Sequence, residues 1–226
     1  MNENRNVLRA GETGFGILVE NDAGHLIPAT STIIKENFNI KENEPLIVDC
    51  ILQKWGVENK NGRIYPKEVL IPQVEAYLNL VRQNGALSEN DHPNSSVVSL
   101  NNVSHIIKDM WWKDNVLFGR LEIITSPAYM KSGIVSMAGD KIAEYLRRNI
   151  KLGISSRGVG SLKTINGKNY VQDDFELICF DLVASPSTPG AYLFQANSNL
   201  KESFEPELNI KQNKLNIVLN DFLGKN

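Results

Sequence analysis

Three residues of this 226-residue chain have the types needed for nucleophilic acyl chemistry. They are His92, in Gly85-Ala-Leu-Ser-Glu-Asn-Asp-His-Pro93; Ser155, in Gly153-Ile-Ser-Ser-Arg-Gly-Val-Gly160; and Asp181, in Phe180-Asp-Leu-Val183. A serine hydroxyl is a weak nucleophile near neutral pH and needs a base to take its proton and donors to hold the oxyanion. A histidine, with an unperturbed pKa of about 6.5, can accept and return that proton. An acid between Phe180 and Leu182 is costly to bury unless something pairs with it, and an imidazole held in one tautomer is a suitable partner. The three lie far apart along the chain, so the chemistry depends on a fold that brings them together.

Each candidate has a rival. Adjacent side chains of a strand point to opposite faces, so only one of Ser155 and Ser156 can meet His92. Glu176 is the alternative acid on the strand of Asp181, and an odd separation puts it on the other face. Arg157 occupies the last position of what would otherwise be the Gly-x-Ser-x-Gly elbow of α/β-hydrolases. Together with Ser156 it is a candidate for supporting an oxyanion or for positioning the loop. Pro93 biases His92 toward extended backbone and so fixes the direction of its ring. A loop histidine, a glycine-bearing strand and a strand-edge aspartate are the plainer readings of the same residues. A metal site can be imagined from His92, Asp91 and Glu89, but three histidines in all (His25, His92, His105) and no zinc-type spacing argue against one. No metal and no cofactor is expected.

The elements that must position these residues follow from the patterning. With 42 % hydrophobic and 22 % charged residues the composition is that of a globular protein, and a net charge of −2 advertises no surface for nucleic acid or membranes. The N-terminus lacks the apolar core of a secretory signal. Cys50 and Cys179, both in apolar settings, read as reduced core residues of a protein that is not secreted. Leu46–Gln53 predicts a buried strand, and Lys67–Gln83 an amphipathic helix that opens at Pro66 and empties into the loop carrying His92. Val103–Ile124 predicts a hairpin around Lys113-Asp114-Asn115, and Gly139–Asn149 a second helix. Ile150–Ile165 predicts a strand that turns at Asn166-Gly167 and returns as Tyr170–Val183.

Short β-prone runs at Phe15–Val19 and Thr30–Ile34, and an amphipathic stretch at Leu208–Leu223, lie in loose, polar surroundings. The expected organisation is therefore a core over 45–190 with a removable N-terminal appendage, 1–44, and a removable C-terminal linker and helix, 191–226. The fold class is α+β: a mostly antiparallel β-barrel or strongly curved sheet flanked by a few helices.

Ordered blocks across 45–190 resemble the prohead core protein proteases of T-even-like tailed bacteriophages, relatives of the herpesvirus maturation proteases. They are Asn61-Gly-Arg-Ile-Tyr-Pro-Lys67, the stretch ending Asp-His-Pro93, Ile107-Lys-Asp-Met-Trp-Trp-Lys113, Val116-Leu-Phe-Gly-Arg120, Gly153–Ser161 and Phe180-Asp-Leu-Val-Ala-Ser-Pro-Ser187. The resemblance implies a serine endopeptidase with His92, Ser155 and Asp181 as its catalytic residues, although the related viral enzymes place a second histidine at the third position. It further implies action in the host cytoplasm inside the prohead and self-association there. Its substrates would be the scaffold (core) and major capsid proteins and the enzyme itself, with no nucleic acid or membrane as partner. Cleavage after glutamate, with an aliphatic residue two positions earlier, would make Glu20, Glu36, Glu42 and Glu202 the candidate autocleavage sites. A non-catalytic capsid or tail-tube component of the same fold is the alternative.

Overall fold

The computed structural model describes residues 14–19, 38, 40, 41 and 44–196. In chain order the described elements are β1 (Gly14–Val19), β2 (Leu46–Lys54), β3 (Arg63–Ile64), α1 (Lys67–Arg82), β4 (Leu87–Glu89), β5 (Val103–Lys113) and β6 (Val116–Ile123). They continue with α2 (Pro127–Ser132), α3 (Ala138–Arg147), β7 (Gly153–Ile165), β8 (Lys168–Val171), β9 (Glu176–Val183) and β10 (Leu193–Gln195). One sheet runs β10-β2-β6-β5-β4. The other runs β1-β7-β8-β3, with β9 also paired to β7. Every pairing is antiparallel except β3 with β8.

Period-two patterning explains the first sheet. Along β6, Leu117, Gly119, Leu121 and Ile123 are buried and the residues between them only partly so. On β2, Val48, Cys50 and Leu52 enter the core, while buried Asp49 accepts from Arg120 Nε at 2.7 Å and from Nη2 at 2.9 Å. The α1 helix turns Leu70, Val74 and Tyr77 inward, and the Tyr77 ring meets Phe180 of β9 edge-on at 5.6 Å. That contact backs the strand carrying Asp181. Asn166 and Gly167 both have positive φ, 52° and 77°, as the tight β7–β8 turn requires.

Several expectations are corrected. Neither sheet closes, so the described residues do not build a closed barrel. Backbone pairing joins the sheet edges as single bridges, Asn90 with Leu182 and Gly153 with Tyr192. The edge strands β4 and β10 have three residues each, too few to extend those bridges into ladders. Tyr170–Val183 is two strands, because a turn around Gln172–Phe175 separates β8 from β9 along the same edge of β7. The α2 helix, capped by the Ser126 hydroxyl with Pro127 at its start, lies in a segment to which the patterning assigns no element. Two strands outside 45–190 pair into the sheets: β1 on β7 and β10 on β2. The Thr30–Ile34 run and the Leu208–Leu223 helix lie outside the described residues.

Candidate active site

β7 and β9 pair so that Ser155 stands directly opposite Asp181 and Arg157 opposite Cys179. Cross-strand partners share a face, so these four side chains lie on one side of the sheet. Ser156 lies on the other, where its hydroxyl accepts from Gln53 Nε2 of β2 at 3.0 Å. Strand alternation thus separates the two serines. Glu176 begins β9 at its far end and is exposed.

His92 arrives from the loop after β4. Asp91, with φ 60°, turns the chain, and its N–H donates to the Leu182 carbonyl at 2.8 Å. The loop is thereby tied to β9 one residue past Asp181. His92 Nδ1 lies 2.8 Å from Asp181 Oδ2, with both side chains withdrawn from water at 3 % and 0 % exposure. A carboxylate can only accept, so Nδ1 carries the hydrogen, and in the neutral ring Nε2 keeps its lone pair. Nε2 is buried and has no hydrogen-bond partner among the described residues. It is a base without an acid.

Burial pushes the Asp181 carboxyl up. The His92 hydrogen bond and charge, the Arg157 guanidinium and the Glu89 N–H outweigh that burial and hold the carboxyl below the usual carboxylate range. Arg157 Nε approaches Asp181 Oδ2 at 2.8 Å, Nη2 bonds Glu89 Oε2, and Nη1 donates to the Ser95 carbonyl at 2.9 Å. The guanidinium is committed to two carboxylates and to the loop rather than standing open for an oxyanion. Glu89, named from the sequence only as a ligand of a metal site argued against, is a member of this charged cluster: a glutamate in a polar stretch carries no mark of burial, yet its exposure is zero.

His105 lies close by in a different role. It faces Ser88 across the β4–β5 pairing and is fully buried. Burial lowers its pKa to about 4, despite the Phe180 carbonyl and the Asp181 charge, which pull the other way. The neutral ring donates from Nε2 to the Phe180 carbonyl at 2.8 Å, so Nδ1 is the acceptor for the Ser104 hydroxyl at 2.9 Å. It braces the backbone beside Asp181.

A cleft of about 720 Å³ opens beside His92 toward α3, lined among others by Asn90, Asn102, Met137, Lys141 and Tyr145. Lys141 has no hydrogen-bond or ion-pair partner among the described residues. Glu20, Glu36, Glu42 and Glu202 all lie outside the described residues.

An imidazole braced by a buried carboxylate, facing the side of a strand that bears a serine, is the equipment of a hydrolytic enzyme. Residues 17–204 match the family described as prohead core protein serine protease, and the chain belongs to that family of phage proteases. It is 37 % identical over 153 residues to the prohead core protein protease of Enterobacteria phage T4, covering 66 % of this chain and 68 % of that protein. The solved structure of the bacteriophage T4 capsid assembly protease is similar, with a TM-score of 0.59 at 29 % identity, over 74 % of this chain and 96 % of that one.

Proposed function

We propose that this protease is a serine endopeptidase of prohead maturation that works through Ser155, His92 and Asp181. The observation that carries the reading is the 2.8 Å His92–Asp181 bond on the face that Ser155 shares. Ser155 Oγ attacks the scissile carbonyl as His92 Nε2 takes its proton, and Asp181 stabilises the imidazolium. The imidazolium returns that proton to the leaving amine, which leaves an acyl-enzyme. Water then loses a proton to Nε2 as it attacks the ester, and the imidazolium returns that proton to Ser155 Oγ as the acyl C–O bond breaks, releasing the acid.

The substrates are scaffold and capsid proteins of the prohead, and the chain itself, cut after glutamate in Leu/Ile-x-Glu segments inside the host cell. Lys141, whose side chain has no partner among the described residues, lies in the cleft beside His92 and supports an acidic side chain at the cut. Glu20, Glu36, Glu42 and Glu202 are the proposed self-cleavage points. The complete burial of Ser155 supports a protease that stays silent until substrate or maturation uncovers it.

Fluorophosphonate treatment of a preparation that cuts a Leu-x-Glu peptide, followed by peptide mapping, tests the nucleophile. The adduct is expected on Ser155, absent from Ser155→Ala and retained in Ser156→Ala. An adduct on Ser156, or none in a preparation that still cuts a Leu-x-Glu peptide, overturns the reading.

A further inference from the structure

Around His92 the protein buries more charge than a base and its supporting acid require. Glu89 from β4, Arg157 from β7 and Asp181 from β9 are each completely withdrawn from water, and the His92 side chain nearly so. Arg157 reaches both carboxylates, and Glu89 Oε1 is left buried without a hydrogen-bond partner among the described residues. The other titratable groups facing this region are the Cys179 thiol, which donates to Asp181 Oδ1 at 3.2 Å, the buried His105 ring and Tyr77 hydroxyl, which both feel the Asp181 charge, and Asp91, Lys141 and Tyr145 along the open cleft. Burial pushes the Cys179 thiol up, so it adds no charge.

We propose that Glu89 is a positioning residue for catalysis, whose carboxylate offsets Arg157 so that the charge of Asp181 remains available to the imidazolium formed on His92. The inference rests on the roles given above to His92, Asp181 and Ser155. Arg157 acts as a mechanical brace. It holds Glu89, three residues before His92, and the Ser95 carbonyl, three residues after it. Both stems of the loop are thus pinned to the strand of the serine. Had Arg157 only Asp181 for a partner, its charge would cancel that acid, and protonating His92 would leave one uncompensated positive charge in a dry site. With Glu89 ionised, the sum runs the other way. Neutral His92 leaves one negative charge in excess, and the imidazolium brings the cluster to zero. The second acid lets the enzyme keep a rigid guanidinium in place without weakening its base.

The test is the protonation of His92, read from its imidazole NMR signal in the Ser155→Ala background, where no turnover is needed. Glu89→Gln should lower the midpoint by about one pH unit, Arg157→Met should raise it, and the double variant should return it near the parent. Glu89→Asp, which keeps the charge, should stay with the parent. With Ser155 present, the acid limb of kcat/KM should move in the same directions, with KM for a Leu-x-Glu peptide little changed. A purely structural role for Glu89 would reduce activity without opposite shifts in the two single variants. An unmoved or raised midpoint in folded Glu89→Gln overturns the inference alone. Should Arg157→Met not fold, the comparison of Glu89→Gln with Glu89→Asp decides by itself. Peptide cleavage that is identical in wild type and Ser155→Ala would overturn the triad as well.

Discussion

At the level of single residues, the site joins one acid held in its ionised form to one imidazole. Because Asp181 is held below the usual carboxylate range, it stays charged across the range in which histidines titrate, and a mechanism that uses His92 as general base loses that base on protonation. Cleavage should therefore fall as pH drops through the histidine range, and a rate flat from pH 5 to pH 8 would remove His92 from the mechanism. Replacing Ser155 or His92 by alanine should each cost about ten-thousand-fold or more in kcat, with double replacements costing little more than singles because the groups act as a unit. Ser156→Ala, on the opposite face, should leave most of the rate. His105 gives an independent titration. Its folded pKa of about 4 lies below that of an unfolded histidine, so the unfolded chain binds the extra proton between the two values. Stability should decline as pH falls from about 6.5 to about 4, by up to about 3 kcal/mol. Urea melts at pH 7.5 and pH 4.5 should show a steeper loss for wild type than for His105→Gln, and equal losses would contradict the assignment.

The cleft wall is built by α3, which turns Ile142, Ala143 and Leu146 into the core and buries one acid at its start. Asp140, at the start of α3, accepts from the N–H and hydroxyl of Ser126, from the N–H and hydroxyl of Ser136 and from the Met137 N–H. One carboxylate thus fixes the start of α2, the loop after it and the first turn of α3. Burial raises the Asp140 carboxyl, the hydrogen bonds from Ser126, Ser136 and Met137 lower it by more, and the net direction is down. The stabilisation is present at neutral pH and is lost as pH falls through the lowered value. Asp140→Ala should cost about 2–4 kcal/mol by denaturant melt, since it strips acceptors from buried donors. Gly139 beside it has no room for a side chain, as a Cβ there would stand 1.9 Å from the Ile124 carbonyl oxygen. One residue past Asp140, Lys141→Glu should lower kcat/KM for a Leu-x-Glu peptide by about tenfold or more and raise it for Leu-x-Lys. An unchanged ratio of the two would take Lys141 out of specificity.

The elements that could be read in advance are those whose stability is written locally. The spacing of Leu70, Val74 and Tyr77, the Asp114-Asn115 turn and Asn166-Gly167 each place an element within a few residues. By contrast β3, β4 and β10 have two or three residues each, and only their partners make them strands. The α2 helix did carry a cue, since Ser126-Pro127 is a cap followed by a proline at the first helical position. In the site, residue type was enough to nominate His92, Ser155 and Asp181, because an acid in an apolar strand asks for a partner. It was not enough for Glu89, whose burial exists only once β4 lies against β9.

Taken whole, the molecule hangs its chemistry on one strand with neighbours on both edges. β7 carries β9 on one side and β1 on the other, with Gly14 opposite Leu162 and Val19 opposite Arg157. This bears on what self-cleavage would do. Cutting after Glu20, Glu36 or Glu42 places β1 in the released piece, yet β1 is paired along its length and buries Ile17 and Leu18. Those two side chains alone are worth about 1.5–3 kcal/mol each on burial, before any ladder hydrogen bond is counted. The cut peptide should therefore remain seated on β7 and keep the strand of Ser155 and Arg157 in register. Denaturing mass spectrometry of the wild type should show fragments ending at Glu20, Glu36, Glu42 or Glu202 that are absent from Ser155→Ala. Native mass spectrometry of the same sample should show the N-terminal fragment still bound. Identical fragments in both proteins would end the case for self-cleavage, while a fragment that leaves on dilution as activity rises would make β1 a removable cover instead of a structural strand.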